Sequence, residues 1–146
     1  AETVFKWDRL KSFMIWFINN DGSLINYRSK HTPTHSKGCA VIIENNVFIG
    51  PNTTFSDDLH PPCPKYKECI QKSYVESFVS IGANVFVAPG IRIGSRTQIY
   101  GGAVVIDDIP PNSVVAGNPA KIIKNFEDLE CAPKFYKKPF EWWFND

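Results

Sequence analysis

From residue 75 onward the chain repeats in sixes: VESFVS, IGANVF, VAPGIR, IGSRTQ, IYGGAV, VIDDIP. The first position is aliphatic every time, at Val75, Ile81, Val87, Ile93, Ile99 and Val105. The fifth is apolar or small, at Val79, Val85, Ile91, Thr97, Ala103 and Ile109, and the second is often small, as at Gly82, Ala88 and Gly94. IENNVF from Ile43 and IGPNTT from Ile49, followed by Phe55, keep the same pattern upstream. A period of six is neither the 3.6 of a helix nor the 2 of a half-buried strand. It suits a triangular coil of three short strands and three corners, with the first-position side chain pointing inward. Three sixes then make one turn, so that Ile81 lies over Ile99 and Ala83 over Gly101. No single turn can bury its apolar edge alone, so stacked turns supply the core. A β-sandwich with accidental spacing would not hold so strict a period over so many units.

Residue usage agrees. The chain has 15 Ile and 11 Val against 4 Leu, with 9 Gly and 11 Pro. β-branched side chains suit pleated surfaces, whereas helical cores favour Leu. At 146 residues a single domain is expected, large enough to bury a core without disulfides. A hydrophobic content of 43% excludes a disordered chain. Lys plus Arg number 16 and Asp plus Glu 15, for a net charge of +1. That balance argues against a broad electrostatic grip on nucleic acid or on an acidic membrane. The longest apolar run, Phe13 to Ile18, is too short to span a bilayer, and no signal-peptide pattern is seen. Four unevenly spread cysteines point to a reduced, cytoplasmic setting.

The stretch from Val114 to Lys124, VVAGNPAKIIK, resembles the closing signature of the hexapeptide-repeat acyltransferases. The wider segment from Ile43 to Trp142 is similar to their sugar and nucleotide-sugar acetyltransferases, including the loop FSDDLHPPCPKYKEC from Phe55 to Cys69. The resemblance implies a mainly β chain wound as a left-handed parallel β-helix. It also implies acetyl-CoA as co-substrate, a sugar-type hydroxyl or amine as acceptor, and a homotrimer as the working unit. No metal is expected.

The repeat is interrupted once, between Asp57 and Tyr74, by a segment carrying one of three histidines, two of four cysteines, three prolines and three lysines. Loops leaving a rigid scaffold commonly hold functional groups. Acyl transfer needs a base for the acceptor's proton, and imidazole serves near neutral pH, for about 10²–10⁴ in rate. The pair His60-Pro61 resembles the His-Pro that carries the catalytic histidine in galactoside and maltose acetyltransferases, which makes His60 the candidate base. Asp57 or Asp58 is the candidate carboxylate orienting its ring. Two metal readings stand as rivals. One is a zinc-dependent hydratase using all three histidines, but Pro33 between His31 and His35 argues for an extended loop there. The other is a His60, Cys63, Cys69 zinc site, which lacks an obvious fourth ligand. A covalent route through Cys63 has little beyond proximity in sequence to favour it.

The same resemblance assigns the coenzyme A groove. Ala83 and, one coil later, Gly101 and Gly102 would contact the pantetheine arm through backbone. Ile106 stands where galactoside enzymes have threonine, and Lys124 where they have arginine, with Lys121 beside it. Lysine offers a phosphate a point charge without arginine's bidentate fork. At the N-terminus, Leu10, Phe13, Met14, Phe17 and Ile18 form one helical stripe, suited to capping an open coil. Residues 122–129 read as a short helix, and the aromatic stretch from Phe135 to Phe144 as a packing strap or a stacking surface for a base. The expected organisation is therefore an N-terminal cap over 1–36, a β-helix over 37–118 interrupted by the loop 57–74, and a C-terminal helix and aromatic tail over 119–146. The rival from another class is a catalytically silent trimeric scaffold, because the coil that carries a polar acceptor-side residue in galactoside acetyltransferases has no counterpart in this chain.

Overall fold

The structure, a computed structural model, describes residues 41–62 and 64–141. The expected N-terminal helix, His31, His35, Cys39, Cys63 and Trp142 lie outside the described residues.

Strands β1 (Val41–Ile43), β2 (Phe48–Ile49) and β3 (Thr54–Phe55) make the first coil, and β4 (Ser73–Val75), β5 (Ser80–Ile81) and β6 (Phe86–Val87) the second. The third comprises β7 (Arg92–Ile93), β8 (Gln98–Ile99) and β9 (Val104–Val105). Each strand pairs in parallel with its counterpart one coil on, giving the sheets β1-β4-β7, β2-β5-β8 and β3-β6-β9. Ile81 pairs with Ile99, the expected 18-residue stacking. Ile43 pairs instead with Val75, an offset of 32. The difference, 14 residues, is the insertion that forms the loop between β3 and β4.

The first position faces inward as expected: Val75, Ile81, Val87, Ile93, Ile99 and Val105 are essentially inaccessible to solvent. Burying each contributes about 1.5–3 kcal/mol. Inward polar side chains find partners on the coil backbone. The Thr53 hydroxyl donates to the Gly82 carbonyl at 3.0 Å and that of Ser73 to Ala88 at 3.2 Å.

The corners carry a rule that the repeat did not reveal. The fourth position of the hexad takes positive φ at Asn46, Asn52, Phe78, Asn84, Gly90, Arg96 and Gly102. Asn and Gly tolerate that conformation, whereas Phe78 and Arg96 do so at a cost of about 1–2 kcal/mol each. The small second position has a different reason, close approach between coils. A Cβ at Gly50, Gly82 or Gly94 would lie within 2.4–2.6 Å of backbone in the next coil.

Glu44 and Glu76 occupy the same second position and fasten successive corners. The backbone N–H of Ser77 donates to Glu44 Oε2 at 2.9 Å, and that of Ser95 to Glu76 Oε2 at 2.8 Å. Each carboxylate thus accepts from the residue just past its own counterpart one coil on.

The C-terminal region corrects the expectation of a helix over 122–129. β10 (Ser113–Ala116) continues the β8 sheet in parallel, then turns through Gly117 to Ala120 into β11 (Lys121–Asn125), which pairs antiparallel with β10. The β-branched pair Ile122 and Ile123 suits that open sheet edge. A 3₁₀ turn, Phe126–Asp128, follows, with the Asn125 side chain accepting from the Glu127 N–H. Val114 points away from the helix core and is buried by Phe126, Leu129 and Phe140. The Phe140 and Phe126 rings stack at 6.0 Å, so this part of the tail acts as a strap, while Phe135 is 82% exposed.

Candidate active site

The inserted loop is held at its base. Asp58 and Ile70 form an antiparallel bridge, and the Gln71 N–H donates to the Asp57 carbonyl at 2.8 Å. Between these anchors run three prolines, which cannot donate to a ladder, and a single helical turn, α1 (Tyr66–Cys69). The loop therefore stands off the coil as a hairpin-like projection whose two legs meet at residues 58 and 70.

His60 sits on the first leg, exposed to solvent. Its backbone N–H donates to Asp58 Oδ1 at 3.0 Å, an Asx-type turn that bends the chain back. The bend brings the imidazole towards the second leg, where His60 Nε2 lies 3.8 Å from Cys69 Sγ. The donor atoms of Asp58, His60 and Cys69 all fall within 4.8 Å of one another. Asp58 thus fixes the main chain at His60 and also lies near the ring. Asp57 contributes the carbonyl that closes the loop base.

This arrangement offers a solvent-accessible imidazole on an anchored loop, which can take a proton from an incoming hydroxyl or amine. The structure brings together His60 and Cys69, two of the three residues of the rival zinc reading, with Asp58 as their companion; the bridge that places residue 69 beside residue 60 has no local sequence signal.

A second feature lies at the end of the third coil. Val105, Ile106, Asp107, Ala120, Lys121 and Ile122 are among the residues lining an open groove of about 280 Å³. It brings Ile106 and Lys121, two expected coenzyme A residues, to one place. Lys124 lies on the same strand as Lys121, three residues on. Plain alternation would put the two on opposite faces. A register shift prevents this: Val114 pairs with Lys124, Val115 with Ile122 and Ala116 with Lys121, leaving Ile123 as the extra residue. Lys121 and Lys124 therefore share the face of Val114 and Ala116. Ala83, Gly101 and Gly102 meet at a corner of the second and third coils. The Gly102 N–H donates to the Ala83 carbonyl at 2.9 Å, and Gly101 and Gly102 are exposed. A Cβ at Gly102 would meet nothing within 4 Å, so its backbone is open to approach from outside.

On the β1-β4-β7 face, Glu44 accepts from the Ser77 hydroxyl at 2.8 Å and from the Tyr74 hydroxyl at 2.8 Å. The Ser77 hydrogen bonds first, and that of Tyr74 next, hold the Glu44 carboxyl below its ordinary range. The same bond to Glu44 pushes the Tyr74 phenol up. These groups serve the corner, not the loop.

No protein-family profile matches the chain. It is 34% identical over 117 residues to a Saccharomyces cerevisiae protein provisionally named an acetyltransferase, an alignment spanning 77% of this chain and 60% of that protein. It is 38% identical over 97 residues to the galactoside O-acetyltransferase of Escherichia coli, 62% of this chain and 46% of the relative. The structure is similar to that of a galactoside acetyltransferase in complex with coenzyme A, with a TM-score of 0.55 and 34% identity over 66% of this chain and 52% of the other. The chain spans about half the length of the curated relatives it matches. Among the described residues no helix is long and apolar enough to cross a membrane.

Proposed function

The relatives of this chain, in sequence and in structure, are hexapeptide-repeat acetyltransferases, and from that premise we propose that it transfers an acetyl group from acetyl-CoA to a hydroxyl or amine of a sugar or nucleotide sugar. The observation that carries the proposal is His60, an exposed imidazole on the anchored loop that breaks the coil.

In this reading His60 takes the acceptor's proton as the acceptor oxygen or nitrogen bonds to the thioester carbonyl carbon. The carbon–sulfur bond breaks, and the sulfur leaves as the thiolate of coenzyme A. The reaction needs no covalent enzyme intermediate. Asp58 positions His60 by fixing its main chain, and the loop-base bond from Gln71 to Asp57 supports that position. Proton removal by a placed base is worth about 10²–10⁴ in rate.

Acetyl-CoA is a substrate here, and the chain's residues fit its parts. Ile106 and Ile122 give the groove apolar wall for the pantetheine arm, beside the charged Asp107, Asp108 and Lys121. Gly101 and Gly102 are exposed, and the open space at Gly102 lets the amides of the arm approach the backbone there. Lys121 and Lys124, on one face of β11, provide two positive charges for phosphates. The working unit is a homotrimer, a reading supported by apolar side chains turned to solvent, such as Ile106 at 49% and Ile122 at 55% exposure. A reducing cytoplasm is its compartment.

Thermal unfolding with and without acetyl-CoA tests the first half of this reading. Ligand at about 100 times its dissociation constant should stabilise by about 2.7 kcal/mol, a rise in Tm of roughly 5–10 °C. An unmoved Tm at millimolar acetyl-CoA would favour a silent scaffold. Release of free thiol in the presence of amino sugars, galactosides and nucleotide sugars then identifies the acceptor.

A further inference from the structure

We propose that Asp58, His60 and Cys69 bind a divalent transition-metal ion, zinc foremost, and that the bound ion inhibits the chain. The site stands on geometry alone; only the inhibition rests on the role proposed for His60.

The three side chains are far from random neighbours. Asp58 and Cys69 come from opposite legs of the loop and are held together by the Asp58–Ile70 bridge, and the turn at Asp58 swings His60 between them. A tetrahedral zinc ion with bonds of about 2.3 Å to sulfur and about 2.0–2.1 Å to imidazole nitrogen holds those two atoms about 3.6 Å apart. Cys69 Sγ and His60 Nε2 are 3.8 Å apart, so the pair is already spaced for one metal. An Asp58 oxygen lies within 4.8 Å of the Cys69 sulfur and of a His60 ring nitrogen, so a shift of at most about 1 Å brings it to bonding range, which a carboxylate that is only partly buried can make.

The donor set decides which metals compete. A thiolate, an imidazole and a carboxylate form a borderline-soft set, which favours zinc and its first-row neighbours over magnesium or calcium. Three protein ligands and an exposed position leave a fourth site for water. Binding requires the cysteine thiolate and a neutral imidazole, so protons are released.

The consequence follows from one lone pair. His60 Nε2 cannot hold a metal and accept the acceptor's proton at once. Zinc at this site therefore removes the base, and acetyl transfer stops until the ion leaves. The ion is an inhibitor in this scheme, not a cofactor.

The test uses the purified chain titrated with Co²⁺ and Zn²⁺ under reducing, chelator-free conditions. Co²⁺ should bind one equivalent per chain and give a thiolate-to-cobalt absorption band, which Zn²⁺ displaces. Cys69→Ser should abolish the band and weaken zinc binding by more than about 100-fold, since even outer-shell substitutions cost about 10–100-fold. Cys131→Ser, which removes a thiol elsewhere, should leave both unchanged. Absence of the band in the unaltered chain, or its persistence in Cys69→Ser, overturns the site. In the transfer assay Zn²⁺ should abolish turnover reversibly, and Cys69→Ser should keep its turnover in Zn²⁺ at concentrations that silence the unaltered chain. A Cys69-dependent band in a chain that transfers no acetyl group would leave the metal site standing and refute the catalytic reading. Undiminished turnover with the site filled would refute the inhibition.

Discussion

Gly82→Ala isolates the reason for the small second position of the repeat. A Cβ at Gly82 would lie 2.5 Å from the Gly101 nitrogen, 2.9 Å from its Cα and 3.0 Å from the Tyr100 carbonyl carbon. Carbon needs about 3.5 Å from such atoms, so the second and third coils must part by about 1 Å at this corner. Two hydrogen bonds span the same gap: Gly82 N–H to the Ile99 carbonyl at 2.8 Å, and Gly102 N–H to the Ala83 carbonyl at 2.9 Å. An added 1 Å takes both beyond the usual limit of about 3.2 Å. Losing them costs about 0.5–1.5 kcal/mol each, and residual crowding adds to that, for a total of about 2–4 kcal/mol. In a chain of this size that lowers Tm by roughly 6–12 °C. Gly102→Ala is the comparison. It meets nothing within 4 Å but has φ of +75°, so only backbone strain of about 1 kcal/mol is expected. Denaturation followed by circular dichroism measures both. The close-approach argument is refuted if Gly82→Ala costs no more than Gly102→Ala.

Three further outcomes are expected. His60→Ala should lower turnover by about 10² or more with the acetyl-CoA dissociation constant nearly unchanged; near-normal turnover removes His60 from the mechanism. Lys121→Ala and Lys124→Ala should each raise KM for acetyl-CoA about two- to fivefold with kcat unchanged, an effect that added salt should erase. Glu44 is held low by Ser77 and Tyr74, so its stabilising contribution is complete above the ordinary value of 4.5 and is lost as pH falls through the lower folded value. Glu44→Gln should therefore lose less stability than the unaltered chain as urea midpoints are followed from pH 5 to pH 3, and parallel curves would rule Glu44 out of acid unfolding.

The coil was legible because its constraint repeats. An inward aliphatic residue every six positions survives any variation at the corners, and Val75, Ile81 and Ile93 are buried without exception. The corner rule stayed hidden because unlike residues obey it. Asn84, Gly90 and Arg96 share positive φ, and nothing in an arginine advertises that conformation. The stacked coils impose it, and neighbouring contacts offset its cost. Glu44 and Glu76 stayed hidden for a related reason: their backbone donors lie 33 and 19 residues on, and the two separations match only once the 14-residue insertion is subtracted from the first. The C-terminal helix was misread because the residues after Lys121 are polar enough to suit one. The open edge of β10 outweighed that local preference by offering Ile122 and its neighbours a ladder to join.

The loop shows the same division between what is local and what the fold assembles. His60 could be singled out because imidazole chemistry and the adjacent proline are visible in a short string. Its surroundings were legible only as a set of candidates, Asp57 or Asp58 and the cysteines of the loop, since Cys69 reaches it through the bridge between Asp58 and Ile70. That bridge does two opposed things. It anchors the legs so that an exposed imidazole keeps a fixed position, which a general base requires. It also brings a thiol and a carboxylate beside the same ring, which offers the ligand set proposed for a metal that would silence the base. Loosening the bridge to free His60 from metal would also loosen the base. Removing the thiol alone separates the two effects, and for that reason Cys69→Ser is the most informative substitution in the loop. It should leave the anchored imidazole where it is, keep turnover, and abolish sensitivity to zinc.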